Sequence, residues 1–198
     1  FATLFREWDI QADPERCARR YEDNLSVGHY FLPGAEEALQ SLSKKYKLYL
    51  ASNGTAKVQA GRLKSADISR YFQKIFVSQE IGANKPDILY FQRCFAEIPG
   101  FDITKAMMVG DSLTSDILGG QNAGIATCWV NPNHKERKTD IRVDYEIEAL
   151  SQQCICQNGS IAHHIACIGL EFRGHGFFQA DSLSGNHMLQ RAALGAGK

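Results

Sequence analysis

Short apolar runs alternate with helical stretches from about residue 33 to residue 150, and this alternation constrains the fold more than any other feature. Residues 47–51 (KLYLA), 75–77, 106–109 (AMMV) and 125–130 read as strands. An uninterrupted apolar run such as AMMV suits a strand covered on both faces. Helices are expected between them. Residues 35–45 carry Ala35, Ala38, Leu39 and Leu42 at helical spacing. Residues 55–64 form a second helix, and 86–97 a third with Ile88, Phe91 and Phe95 on one side. Residues 113–123 read as a fourth, weakened by Gly119-Gly120, and 145–150 as a last edge element. Strands separated by helices imply an α/β fold on a parallel sheet with crossover connections.

Both ends of the chain differ from this pattern. Residues 1–32 are polar and helix-prone, with Asp13 as N-cap and Pro14 at the first helical position. After residue 153 the text turns Gly-, His- and Cys-rich with little periodicity, so 154–198 reads as an atypical tail, out of frame or disordered. Residues 33–153 are the expected core. Lys+Arg and Asp+Glu both number 22, leaving a formal charge of zero with no basic block or acidic tail. This argues against a nucleic-acid polymer as partner. No apolar run reaches the ~18–20 residues needed to cross a bilayer, so no membrane partner and a cytoplasmic location are expected. Cys17, Cys94 and Cys128 read as isolated thiols. Cys154, Cys156 and Cys167 gather with His163 and His164, but at a spacing that matches no usual zinc pattern.

In a parallel α/β sheet, ligands sit beyond the carboxyl ends of the strands. Three polar clusters fall there. Ser52-Asn53-Gly54 ends one strand and opens a helix, where a hydroxyl and backbone N–H groups can cradle an anion and Gly54 allows close approach. The same residues also serve as an ordinary N-cap or turn. Lys85 precedes Pro86 at the start of the next helix, where its ammonium can neutralise a phosphoryl group and the carboxylate attacking it. A solvated loop lysine is the plainer alternative. Asp111 and Asp116, in GDSLTSD after the AMMV strand, offer hard oxygen ligands of the kind Mg²⁺ takes. A capping Asp111 and an Asp116 that merely favours the helix N-terminus would also satisfy the pattern. Together these residues make a phosphate clamp, a cation and two metal carboxylates. An attacking group is absent from the set.

Residues 33–150 resemble the haloacid dehalogenase (HAD) superfamily. Ser52 matches its second motif, Lys85-Pro86 its third, and Gly110-Asp111 through Asp116 its fourth. The run VGDSLTSDILGGQNAGIATCWVNP with the later DYEIEAL is similar to the pyrimidine 5′-nucleotidase branch. Residues 1–32 resemble the later part of that branch's helical cap. The resemblance implies a HAD-like Rossmannoid parallel sheet with a partial cap, Mg²⁺ as cofactor, and a small-molecule nucleotide as substrate. It implies that pyrimidine nucleoside 5′-monophosphates are hydrolysed through an aspartyl-phosphate. Ser52, Asn53, Gly54 and Lys85 would hold the phosphoryl group, Lys85 and Ser52 acting in catalysis. Asp111 would bind Mg²⁺ and Asp116 support it. The superfamily's metal-independent dehalogenases are a second reading, against which the paired Asp111 and Asp116 speak. A non-catalytic phosphate-binding module is a third.

The superfamily's first motif, D-x-D-x-(T/V) on a mid-sheet strand, has no match in the sequence. Asp9 and Asp13 are wrongly spaced, and Asp181 has no second aspartate two places on. The chain therefore reads as truncated at its N-terminus. Without that strand its two neighbours would present unpaired edges. Residues 165–172 (IACIGLEF) are β-compatible text that could cover one of them.

Overall fold

A computed structural model of the protein describes residues 1–137 and 140–150, and the backbone of 165–168. Two helices open the chain, α1 (Ala2–Glu7) and α2 (Pro14–Leu25). Asp13 caps α2 as expected, its carboxylate accepting from the N–H groups of Glu15 (2.9 Å) and Arg16 (3.1 Å). These bonds, that from Arg16 foremost, hold the Asp13 carboxyl below its ordinary pKa. After α3 (Ala35–Leu42) come β1 (Lys47–Ser52), α4 (Ala56–Ala66) and β2 (Phe72–Val77). A short α5 (Ser78–Ile81) and α6 (Ile88–Ala96) lead to β3 (Ala106–Gly110). A π-helical turn, Leu113–Ile117, continues as α7 (Leu118–Asn122) into β4 (Ala126–Val130) and β5 (Tyr145–Ile147). The last described strand is β6 (Ile165–Ile168).

All six strands pair in parallel, in the order β2-β1-β6-β3-β4-β5. The strand period of two places successive β1 side chains on opposite faces. Leu48 and Leu50 enter a layer with Leu39, Leu42, Leu63, Ile68 and Phe72. Tyr49 and Ala51 enter another with Phe76, Tyr90, Phe91 and Met108. This two-sided burial is why β1 and β3 read as near-continuous apolar runs. Val109, Cys128, Val130 and Ile147 form a third layer with Ala35 of α3.

Ile165–Ile168, from the segment that the sequence sets apart as a tail, stands in the middle of the sheet. Its residues align with Lys47–Leu50 on one side and with Ala106–Val109 on the other. The sequence reading allowed residues 165–172 to cover one of two open edges; Ile165–Ile168 pairs with both β1 and β3. Other differences are local. Pro86 lies outside α6, whose N-cap is Asp87, accepting from the Leu89 N–H at 2.9 Å. Gly119 and Gly120, read from sequence as helix-weakening, let α7 lie close to its neighbours. A Cβ on Gly119 would fall 2.6 Å from the Phe91 ring, and one on Gly120 would fall 2.8 Å from Thr127 Cγ2.

Candidate active site

The carboxyl ends of β1 and β3 bring four of the expected residues to one place. Ser52 is the last residue of β1 and is buried. Asn53, directly after it, clips the Lys85 backbone from both sides. Its Nδ2 donates to Lys85 O and its Oδ1 accepts from Lys85 N–H, each at 2.9 Å. A carboxamide used this way fixes the distance between two loops that join different strands.

That clip sends the Lys85 side chain inward, where it is 2% exposed. Its ammonium donates to Ala51 O at 2.7 Å and to Asp116 Oδ1 at 2.6 Å. The Asp116 side chain is fully buried, and its Oδ2 accepts from the Ser112 N–H at 3.3 Å. Lys85 therefore stands as a desolvated cation that bridges the end of β1 to the loop after β3, the placement in which an ammonium acts most strongly on a neighbouring anion. Gly110 makes the approach possible, because a Cβ there would collide with the Asp116 carboxylate.

Asp111 follows β3 and is half-buried, with its carbonyl accepting from Trp129 Nε1 at 3.0 Å. Among the described residues no group of three or more His, Cys, Asp and Glu gathers as a metal cage. Mg²⁺ requires less, commonly one or two carboxylates completed by water and phosphate oxygens. Asp111 fits the direct ligand of such a set. Asp116, occupied by Lys85 and Ser112, fits a supporting position. Cys154, Cys156, His163 and His164 lie outside the described residues, as does Asp181.

The Gly54 N–H donates to Ser78 Oγ at 3.0 Å, and the Ala56 N–H to Gln79 Oε1 at 2.7 Å. Two of the amides at the start of α4 thus have protein partners. Ser78 and Gln79 were not legible as site residues. Their only sequence signal is polar text immediately after a strand, which is also the usual text of a loop.

A cavity of about 390 Å³ opens beside this loop, lined by Tyr21, Leu25, Asn53, Thr55, Val58 and Gln59 among others. Its far wall is α2, tied to α4 by Arg62, whose Nε donates to Leu25 O at 2.8 Å. Burial pushes the Arg62 guanidinium below its ordinary pKa. An ion pair between Lys57 and Asp23 joins the same two helices at the surface.

Comparisons with known proteins agree with this geometry. Residues 1–130 match the family model described as haloacid dehalogenase-like hydrolase. The chain is 37% identical over 166 residues to pyrimidine 5′-nucleotidase PynA of Streptococcus pneumoniae, covering 83% of this chain and 70% of that protein. It is 34% identical over 129 residues to pyrimidine 5′-nucleotidase YjjG of Escherichia coli, covering 64% of this chain and 57% of that protein. The magnesium-bound crystal structure of the HAD-hydrolase YfnB from Bacillus subtilis superposes with a TM-score of 0.73 at 36% identity. That match spans 79% of this chain and 69% of YfnB. With a parallel sheet, a buried lysine and an aspartate pair at its carboxyl edge, the chain belongs to the haloacid dehalogenase-like hydrolases.

Proposed function

We propose that these residues form the phosphate-handling part of a phosphatase for pyrimidine nucleoside 5′-monophosphates. The observation that carries the reading is the Lys85 ammonium, buried between Ala51 O and Asp116 Oδ1 at the mouth of the sheet. The names of PynA and YjjG supply the substrate class.

In this reading the Ser52 hydroxyl and the Asn53 backbone N–H orient the phosphoryl oxygens. Lys85 offsets the charge that grows on them during transfer, and it needs no reorganisation because Asn53 and Asp116 already hold it. Asp111 and Asp116 would hold Mg²⁺ directly and in support, and the ion when bound supplies charge neutralisation at the phosphoryl oxygens. Phosphoryl transfer through an aspartyl-phosphate also needs an aspartate nucleophile. Asp9 and Asp13 are exposed residues of the α1–α2 segment, and the sequence after β6 contains no aspartate before Asp181.

Binding and turnover therefore separate. Calorimetry with inorganic phosphate or dUMP should show binding that strengthens with Mg²⁺, while a phosphate-release assay on dUMP, UMP and dTMP stays at background. Robust Mg²⁺-dependent release would refute the assignment of the missing nucleophile. No phosphate binding at all would refute the clamp.

A further inference from the structure

The peptide that joins Asp111 to Ser112 is held at both of its polar ends. Trp129 Nε1 donates to Asp111 O at 3.0 Å, and the Ser112 N–H donates to Asp116 Oδ2 at 3.3 Å. Trp129 comes from β4, where it stands in register with Gly110 of β3, the residue just before Asp111. At 1% exposure it is among the most deeply buried large side chains.

A buried indole N–H needs an acceptor, and any carbonyl within reach would satisfy it. What singles out this bond is the peptide that receives it. The carbonyl of Asp111 and the N–H of Ser112 belong to one planar unit, so they turn only together. With the oxygen tied to Trp129 and the N–H tied to Asp116, turning that unit breaks two bonds at once. The backbone that follows the Asp111 Cα is thereby fixed. On the other side Gly110 lies in the β3–β4 ladder, opposite Trp129 itself. Only the side-chain torsions of Asp111 remain to set where its carboxylate points. Mg²⁺ demands near-ideal octahedral geometry, so a ligand whose backbone is already set loses less freedom on binding.

We propose that Trp129 is a positioning residue for the metal carboxylate. Its indole N–H, acting through the Asp111 carbonyl, sets the direction from which Asp111 meets Mg²⁺. This rests on the role proposed above for Asp111, and it adds a residue from β4, a strand that supplies none of Ser52, Lys85, Asp111 and Asp116. Trp129 touches neither phosphate nor metal in this scheme.

The test is calorimetry with inorganic phosphate across a Mg²⁺ series, on the unsubstituted chain and on Trp129→Phe. The Mg²⁺ concentration that half-saturates the enhancement of phosphate binding should rise roughly tenfold in the variant, the lower end of the ~10–100-fold typical of residues that orient a metal ligand. Loss of packing alone would lower the melting temperature and leave that concentration where it was, and this result overturns the inference. A second measurement does not depend on the variant folding. Trp8 and Trp129 are the two tryptophans of the chain, and Trp8 is an exposed residue at the end of α1. In Trp8→Phe the emission is that of Trp129 alone. A divalent charge arriving at Asp111 acts on the indole bonded to the same residue, so Mg²⁺ should shift this emission with the midpoint that calorimetry gives. Adding Asp111→Asn should abolish the shift. An emission indifferent to Mg²⁺ while calorimetry shows the ion binding overturns the inference and leaves Asp111 as the ligand. If Mg²⁺ gives no enhancement in the unsubstituted chain, the assignment of Asp111 falls, and this inference with it.

Discussion

Replacing Lys85 with methionine removes the ammonium while keeping most of the volume, and its cost follows from what is left behind. The Asp116 carboxylate, with no solvent exposure, would keep only the 3.3 Å bond from Ser112 N–H. Ala51 O would lose its 2.7 Å donor at the same time. Stripping one partner from a buried ion pair costs roughly 3–5 kcal/mol, because an uncompensated charge remains in a low-dielectric site. With a urea slope of ~2 kcal/mol/M, that is a midpoint lowered by about 2 M. A domain at the low end of ordinary stability, ~5 kcal/mol, would survive this only narrowly.

The double replacement Lys85→Met with Asp116→Leu separates this explanation from simple loss of packing. With both charges gone, nothing charged is stranded, and such replacements are commonly neutral or stabilising by ~1–4 kcal/mol. The double variant should thus recover most of the loss, giving a coupling of at least ~2 kcal/mol in a cycle of urea melts followed by circular dichroism. It should also fail to bind phosphate although it is folded, since the cation is gone. A single variant that loses less than ~1 kcal/mol would show the pair is not desolvated as described. A double variant no more stable than the sum of the singles would refute the pairing.

Three further outcomes are expected. Gly110→Ala should destabilise by about 1–3 kcal/mol, because its Cβ would displace the Asp116 carboxylate; thermal melting reads the loss, and an unchanged melt would contradict the contact. Cys167→Pro should cost at least ~2–3 kcal/mol, since it deletes a ladder N–H from a strand paired on both sides; urea unfolding tests it, and a neutral result would remove β6 from the sheet. Asp111→Asn should abolish the Mg²⁺ enhancement of phosphate binding, read by calorimetry, whereas retained enhancement would exclude Asp111 as the direct ligand.

Much of the candidate site's placement was legible because parallel sheets bring the residues that follow their strands to one edge. Ser52, Lys85 and Asp111 each stand one or two steps beyond an apolar run or a connecting loop, and β1, β3 and β4 lie where those runs predicted. The Asp13 cap was equally local. What escaped the sequence is what depends on pairing across distance. Asn53 reads as a turn residue, and only the fold reveals that it clips Lys85, 32 positions away. Gly119-Gly120 reads as helix-weakening, and only the fold shows that the two glycines also let α7 lie close to Phe91 and Thr127.

The position of β6 bears most directly on how the site holds together. β1 and β2 pair with each other, as do β3, β4 and β5, but the described ladder contains no direct pairing between the two groups. Ser52 belongs to the first group, while Asp111 and Asp116 follow the second. Besides the core layer that Tyr49 and Ala51 share with Met108, two connections bring them together. The first is β6, whose four residues align with both β1 and β3. The second is Lys85, which bonds Ala51 at the end of β1 and Asp116 beyond β3. The strand sets the lateral spacing of the two groups, and the lysine closes them at the edge where the phosphate is expected. A cation that serves as a structural clasp is held in place before any ligand arrives, and under the proposed function that preorganisation would let a single buried ammonium act on a phosphoryl group without first being ordered.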